Sequence, residues 1–171
     1  MRRFGTGAAF VATTLLSGTV ALACGDKLLA VGRGVRFQRV YAAHEANLVI
    51  YLAGAPGRAA LNDARLRNML TRAGHKLQIV ASGSQLEEAL KSGKVDVVLV
   101  DFEDLAGIAG DLQSAPSKPV IVPVLFKPSK SELARVQKEY KFALKAPADD
   151  FEYLTAIDEA MRLRLKNGAK S

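Results

Sequence analysis

From Asn47 onward, short apolar runs alternate with helix-length amphipathic segments, and this alternation restricts the chain to a layered α/β fold. The runs are Leu48–Leu52, Leu77–Val80, Val95–Asp101, Val120–Phe126 and Phe142–Lys145. The strongest is Val95-Asp96-Val97-Val98-Leu99-Val100-Asp101. Apolar side chains at successive rather than alternate positions bury both faces of a strand, as a central parallel strand requires. Pro123 inside the fourth run conflicts with that reading, because proline donates nothing to a ladder.

The segments between the runs read as helices. The first carries Leu66, Met69, Leu70 and Ala73 on one stripe and stops at Gly74. Ser84-Gln85-Leu86-Glu87 has the capping-box spacing, with Leu86, Ala89 and Leu90 inward and Gly93 as the stop. Phe102 to Gln113 is a weaker helix, diluted by Gly107 and Gly110. Ser129-Lys130-Ser131-Glu132 is a second capping box, with Leu133 and Val136 inward. Asp149, with Glu152 three residues on, caps the last helix. There Leu154, Ile157, Met161 and Leu165 are expected to face the core, and Asn167-Gly168 ends the helix.

Five strands alternating with five helices imply βαβ units, whose right-handed crossovers give a parallel sheet covered on both faces. The expected fold is a flavodoxin-like three-layer sandwich with strand order 2-1-3-4-5. Any site then falls at the carboxyl ends of the first and third strands. The 171 residues, 49% of them apolar, suit one core. With 6% aromatics and no Trp, that core is built from Val, Leu, Ile and Ala.

The N-terminal segment is of another kind. Met1-Arg2-Arg3 is a short positive region, Phe4 to Leu22 carries no charge, and Ala21-Leu22-Ala23 has the small-x-small spacing of a signal-peptidase site. The expected organisation is a signal peptide over residues 1–23, an N-terminal extension over 24–46, the α/β domain over 47–167 and a tail over 168–171. In the extension, Lys27–Val31 and Val35–Tyr41 read as short strands around Gly32-Arg33-Gly34. Cys24, the only cysteine, excludes an internal disulfide and leaves two readings. It is either the lipid-carrying first residue of a lipoprotein, which would place the chain on a membrane surface, or the first residue after ordinary cleavage. The expected location is outside the cytoplasm, in the periplasm or cell envelope. Without Arg2 and Arg3, the 24 basic residues become 22 against 17 acidic ones, a formal +5. Basic and acidic residues interleave, as in Lys130, Glu132, Arg135, Lys138 and Glu139, which argues for a solvated surface and against a nucleic-acid groove.

On these motifs, Asn47 to Lys166 resembles a response-regulator receiver domain. Lys94–Asp101 resembles the family's third strand, with an acid early in it and the phosphoacceptor-like Asp101 at its end. Lys118-Pro119-Val120-Ile121-Val122 and the helix after Asp149-Asp150 add to the likeness. The family's acidic pair after the first strand falls at Leu52 and Ala53, and its hydroxyl residue falls near Val124. Its Lys-Pro pair appears as Lys145-Ala146-Pro147, making Lys145 the possible equivalent of the family's lysine. Mg²⁺ wants hard oxygen ligands, and these replacements remove them.

Asp101, Glu103 and Asp104 then form a possible residual acidic site, or Asp101 caps the following helix. His44 and His75 have no metal-ligand spacing, and no nucleophile elbow is present. The resemblance implies a degenerate, exported pseudo-receiver: a non-enzymatic signalling or protein-interaction module with no catalytic residue, metal or cofactor. Its partner is expected to be a protein, docking by resemblance on Ser129–Tyr140 and Leu144–Tyr153. Two alternatives stand beside it: a true phospho-accepting receiver using Asp101, and a small ligand-binding protein or hydrolase on the same fold.

Overall fold

The computed structural model describes residues 28–29, 38–39, 41–54 and 58–168. The expected leader, Cys24, most of the extension and the last three residues of the tail lie outside the described residues. Two short strands, β1 (Leu28–Leu29) and β2 (Gln38–Arg39), pair antiparallel. The main sheet comprises β3 (Asn47–Tyr51), β4 (Lys76–Val80), β5 (Val97–Asp101), β6 (Val120–Phe126) and β7 (Leu144–Ala146). It is parallel throughout, in the order β4-β3-β5-β6-β7, which is 2-1-3-4-5 when its own strands are counted. Between the strands lie α1 (Arg58–Leu61), α2 (Ala64–Arg72), α3 (Gly83–Lys91), α4 (Phe102–Ser114) and α5 (Lys130–Glu139), and α6 (Asp150–Gly168) follows β7. α1 is a single turn ahead of the first of the five amphipathic helices.

The two faces of the sheet bury alternate residues. On one, Leu48, Ile50, Leu52, Val97, Leu99, Val122 and Val124 pack against Leu61, Leu66 and Leu70 of α1 and α2 and Leu154, Ile157 and Met161 of α6. On the other, Val49, Tyr51, Val98 and Val100 pack against Leu86 and Leu90 of α3 and Leu105, Ile108 and Leu112 of α4. Leu125, Val136 and Ala143 form a smaller cluster under α5. Burying each Val or Leu contributes about 1.5–3 kcal/mol, which holds the helices on a sheet of such short strands.

Several local expectations change. The cap of α3 is Ser82, whose Oγ accepts from the Gln85 backbone N–H at 3.3 Å, while Ser84 lies inside the helix. Gln85 Oε1 completes the turn by accepting from the Ala81 N–H at 2.8 Å. Leu165 is 52% exposed rather than buried, because α6 runs on past the amino end of the sheet and its last turns have no strand beneath them. The last strand covers Leu144–Ala146 and leaves Phe142 and Ala143 ahead of it. Pro123 is accommodated. It sits opposite Val100 and one residue before β6 meets β7, so the missing N–H interrupts no β6–β7 pair. The capping boxes at Ser129 and Asp149 form as spaced, with Glu132 and Glu152 N–H groups donating to Ser129 Oγ and Asp149 Oδ1.

Candidate functional site

In a parallel sheet every strand ends on the same side, so the carboxyl ends of β3 and β5 meet at one rim. β5 passes into α4 with no intervening residue, and Asp101 is both the last strand residue and the cap of α4. Its Oδ1 accepts from the Glu103 N–H at 2.9 Å. Its Oδ2 is buried and has no hydrogen-bond partner, in a residue only 3% exposed.

The surroundings of Asp101 follow from register. Val124 lies directly opposite on β6 and is fully buried, and Leu52, on the same face beyond β3, is buried too. Neither side chain can hydrogen-bond to Oδ2. Ala53 follows Leu52, so the described residues just after β3 carry no carboxylate. Lys145 is in register with Leu125, and Ala146 with Phe126. Since Val124 shares a face with Asp101, Leu125 and Lys145 belong to the opposite face, and it is Ala146 that returns to the face of Asp101. Lys145 is exposed and makes no ion pair with Asp101.

The expected acidic trio is also divided. Glu103 is exposed, and its backbone rather than its carboxylate meets Asp101. Asp104 is half-buried near Tyr51, which lies on the other face of the sheet. Burial raises the Tyr51 hydroxyl pKa above its ordinary 10.0, and the charges of Asp104 and Asp111 add to the rise. Among the described residues, no group of three or more His, Cys, Asp or Glu is arranged to hold a metal ion. What remains at the rim is a single buried carboxylate with one oxygen used as a helix cap and the other unmatched.

The amino end of the sheet holds polar residues that sequence reasoning passed over. Asp158 of α6 is 6% exposed, and its carboxylate accepts from the Ala43 N–H at 2.9 and 3.1 Å and the His44 N–H at 3.2 Å. Together with Ala42 N–H to Ala73 O (3.0 Å) and Lys76 N–H to Ala46 O (2.9 Å), this straps residues 42–46 to the domain. His75, beside the strap, is 3% exposed, and neither ring nitrogen has a partner. Burial pushes its pKa below the ordinary 6.5, against the opposing pull of Asp158 and Glu45. Asp96, the early acid of the third strand, points into a different network. It accepts from the Asn47 backbone and side-chain amides, both at 2.8 Å, and pairs with Arg164 at 3.0 Å. Arg164 in turn donates to Ser117 O and Lys118 O. The one available signal for Asp158 was a carboxylate beside Ile157 within an otherwise apolar stripe.

The fold and this rim together define a parallel α/β sandwich of the flavodoxin-like class with an acidic strand-to-helix junction. No protein-family model matches the chain, and no curated protein is similar to it in sequence.

Proposed function

We propose that this protein is a receiver-like signalling or protein-interaction module that works outside the cytoplasm and transfers no phosphoryl group. The observation that carries the reading is the environment of Asp101. A phosphoryl acceptor of the receiver kind needs a divalent cation, a hydroxyl and a lysine converging on the carboxylate. Here the neighbours on the Asp101 face are Leu52 and Val124, and the lysine lies on the other side of the sheet. The leader-like sequence of residues 1–23 supports a location away from ATP-dependent kinases, with Cys24 as a point of lipid attachment.

A second reading is favoured by one feature, the unmatched Oδ2 of Asp101. A buried carboxylate oxygen without a partner is costly, and such costs persist where a group is kept for chemistry. One experiment separates the two. The chain is incubated with acetyl phosphate and Mg²⁺, and its intact mass is measured. The module reading expects no added mass. Gain of one phosphoryl group, abolished by Asp101→Asn, would establish the phospho-accepting receiver instead. Mass spectrometry of the mature N-terminus tests export and acylation of Cys24 in the same instrument.

A further inference from the structure

We propose that the amino end of the parallel sheet is a membrane-facing surface that docks on an anionic lipid bilayer. This does not depend on the reading of Asp101, which lies at the opposite end.

The parallel topology gathers charges that are interleaved in the sequence. The segments entering β4, β5, β6 and β7 bring Lys76, Lys94, Lys118 and Lys141 to one end, all exposed. The last turns of α2, α5 and α6 add Arg72, Lys138 and Lys166. Among the described residues none of these seven is in an ion pair; the pairs formed are Lys91–Glu87, Arg162–Glu159 and Arg164–Asp96. The acids of this end are partly withdrawn: Asp96 is held by Arg164, Asp158 by the strap and the exposed Glu159 by Arg162, leaving the exposed Glu45, Glu88 and Glu139 and the half-buried Asp111 against the seven bases.

Exposed apolar groups lie at both ends, Phe126 and Phe151 at the carboxyl rim and three others here among the lysines. Leu165 is 52% exposed, Leu163 37% and Tyr41 51%. Leu165 borders an open groove of about 610 Å³ that it shares with Pro116, Lys118 and Asn167. A soluble polyanion rewards the lysines but not bare leucines. The interfacial region of an anionic bilayer rewards both, since acyl chains take the apolar groups and headgroup phosphates the cations. The route of the chain agrees. With residues 1–23 read as a cleaved leader, the chain from Cys24 onward reaches the domain at Tyr41 and the strap, on this end and not the acidic one. Acylation of Cys24 therefore brings the basic end to the lipid.

The test uses the mature chain, residues 24–171, with Cys24→Ser, so that neither the leader nor an acyl group contributes, on vesicles of phosphatidylcholine alone or mixed with phosphatidylglycerol. Each lysine near an anionic surface changes affinity by about fivefold. Lys94→Gln with Lys118→Gln should therefore weaken binding to the anionic vesicles on the order of 20-fold and leave binding to the neutral ones unchanged. Lys127→Gln with Lys130→Gln, which removes the same charge from the other end, should leave the anionic preference intact. The chain has no Trp, so single tryptophans are clean reporters. Leu165→Trp should show a blue-shifted emission on anionic vesicles, and Phe126→Trp, at the other end, should not. The proposal fails if both lysine pairs weaken binding alike, or if anionic lipid gives no preference. It fails too if a soluble polyanion binds as tightly while the emission of the Leu165→Trp variant stays unshifted.

Discussion

Replacing Asp101 with serine should stabilise the protein, an unusual outcome for a buried polar residue at a helix start. The wild-type carboxylate does two things with opposite signs. Oδ1 caps α4 through the Glu103 N–H, and Oδ2 is buried with nothing to accept from. Serine keeps the cap, since Ser and Asp are near-equal at that position, and deletes the unmatched oxygen. Leaving a polar group buried and unsatisfied costs about 1–3 kcal/mol, and more when it is charged. Against this, Asp101→Ser loses roughly 0.3–1 kcal/mol of charge–dipole attraction at the helix N-terminus. It also leaves a small void, worth about 0.5 kcal/mol for the few tens of Å³ removed. The expected net is a gain of about 1 kcal/mol, or roughly 2–4 °C in Tm for a chain of this size. Asp101→Ala removes the oxygen and the cap together, so it should fall about 1 kcal/mol below the serine variant. Urea melts of the three proteins at neutral pH give the order. A serine variant less stable than wild type by more than about 1 kcal/mol would refute the reasoning, because Oδ2 would then be contributing a favourable interaction.

Two further outcomes follow from the amino end. His75 has a folded-state pKa below 6.5, so its contribution is complete above pH 6.5 and declines as pH falls through the window beneath it, where the unfolded chain takes the proton first. Replacing His75 with Leu should flatten the loss of stability between neutral and mildly acidic pH, measured by urea melts across that range. Asp96→Ala removes the acceptor for three N–H contacts, with side chains still 24% and 18% exposed at the Arg164 pair, and should cost about 2–3 kcal/mol in the same assay.

The sheet was readable because continuous apolar runs and right-handed crossovers leave few arrangements for five strands. The position of Asp101 followed from its place between such a run and a helix. What escaped the sequence depended on distances along the fold. Ser82-Gly83-Ser84-Gln85 and Ser84-Gln85-Leu86-Glu87 both fit a capping pattern, and only the start of α3 decides for Ser82. Leu165 continues the apolar period of α6, but periodicity does not say where the sheet beneath stops. Lys145 is one residue off the spacing that would aim it at Asp101, and in a strand one residue is a whole face. The strap held by Asp158 joins residues more than a hundred positions apart, beyond any local pattern.

The charge sorting has a partly local origin. In a parallel α/β sheet the helices α2 to α6 all start at the carboxyl rim, so their dipoles align. Acids at their first turns and bases at their last are each favourable by about 0.3–1 kcal/mol. Glu103, Asp104, Glu132, Asp150 and Glu152 on one side, and Arg72, Lys91, Lys138 and Lys166 on the other, fit that rule. Helix stability does not call for Lys76, Lys94 and Lys118 at the strand entries, nor for bare Leu163 and Leu165 among them. Capping likewise needs one oxygen of Asp101 and not the second. At both ends, what exceeds the needs of the fold is what points to function: an unmatched acceptor at one rim, and a basic surface carrying exposed apolar groups at the other.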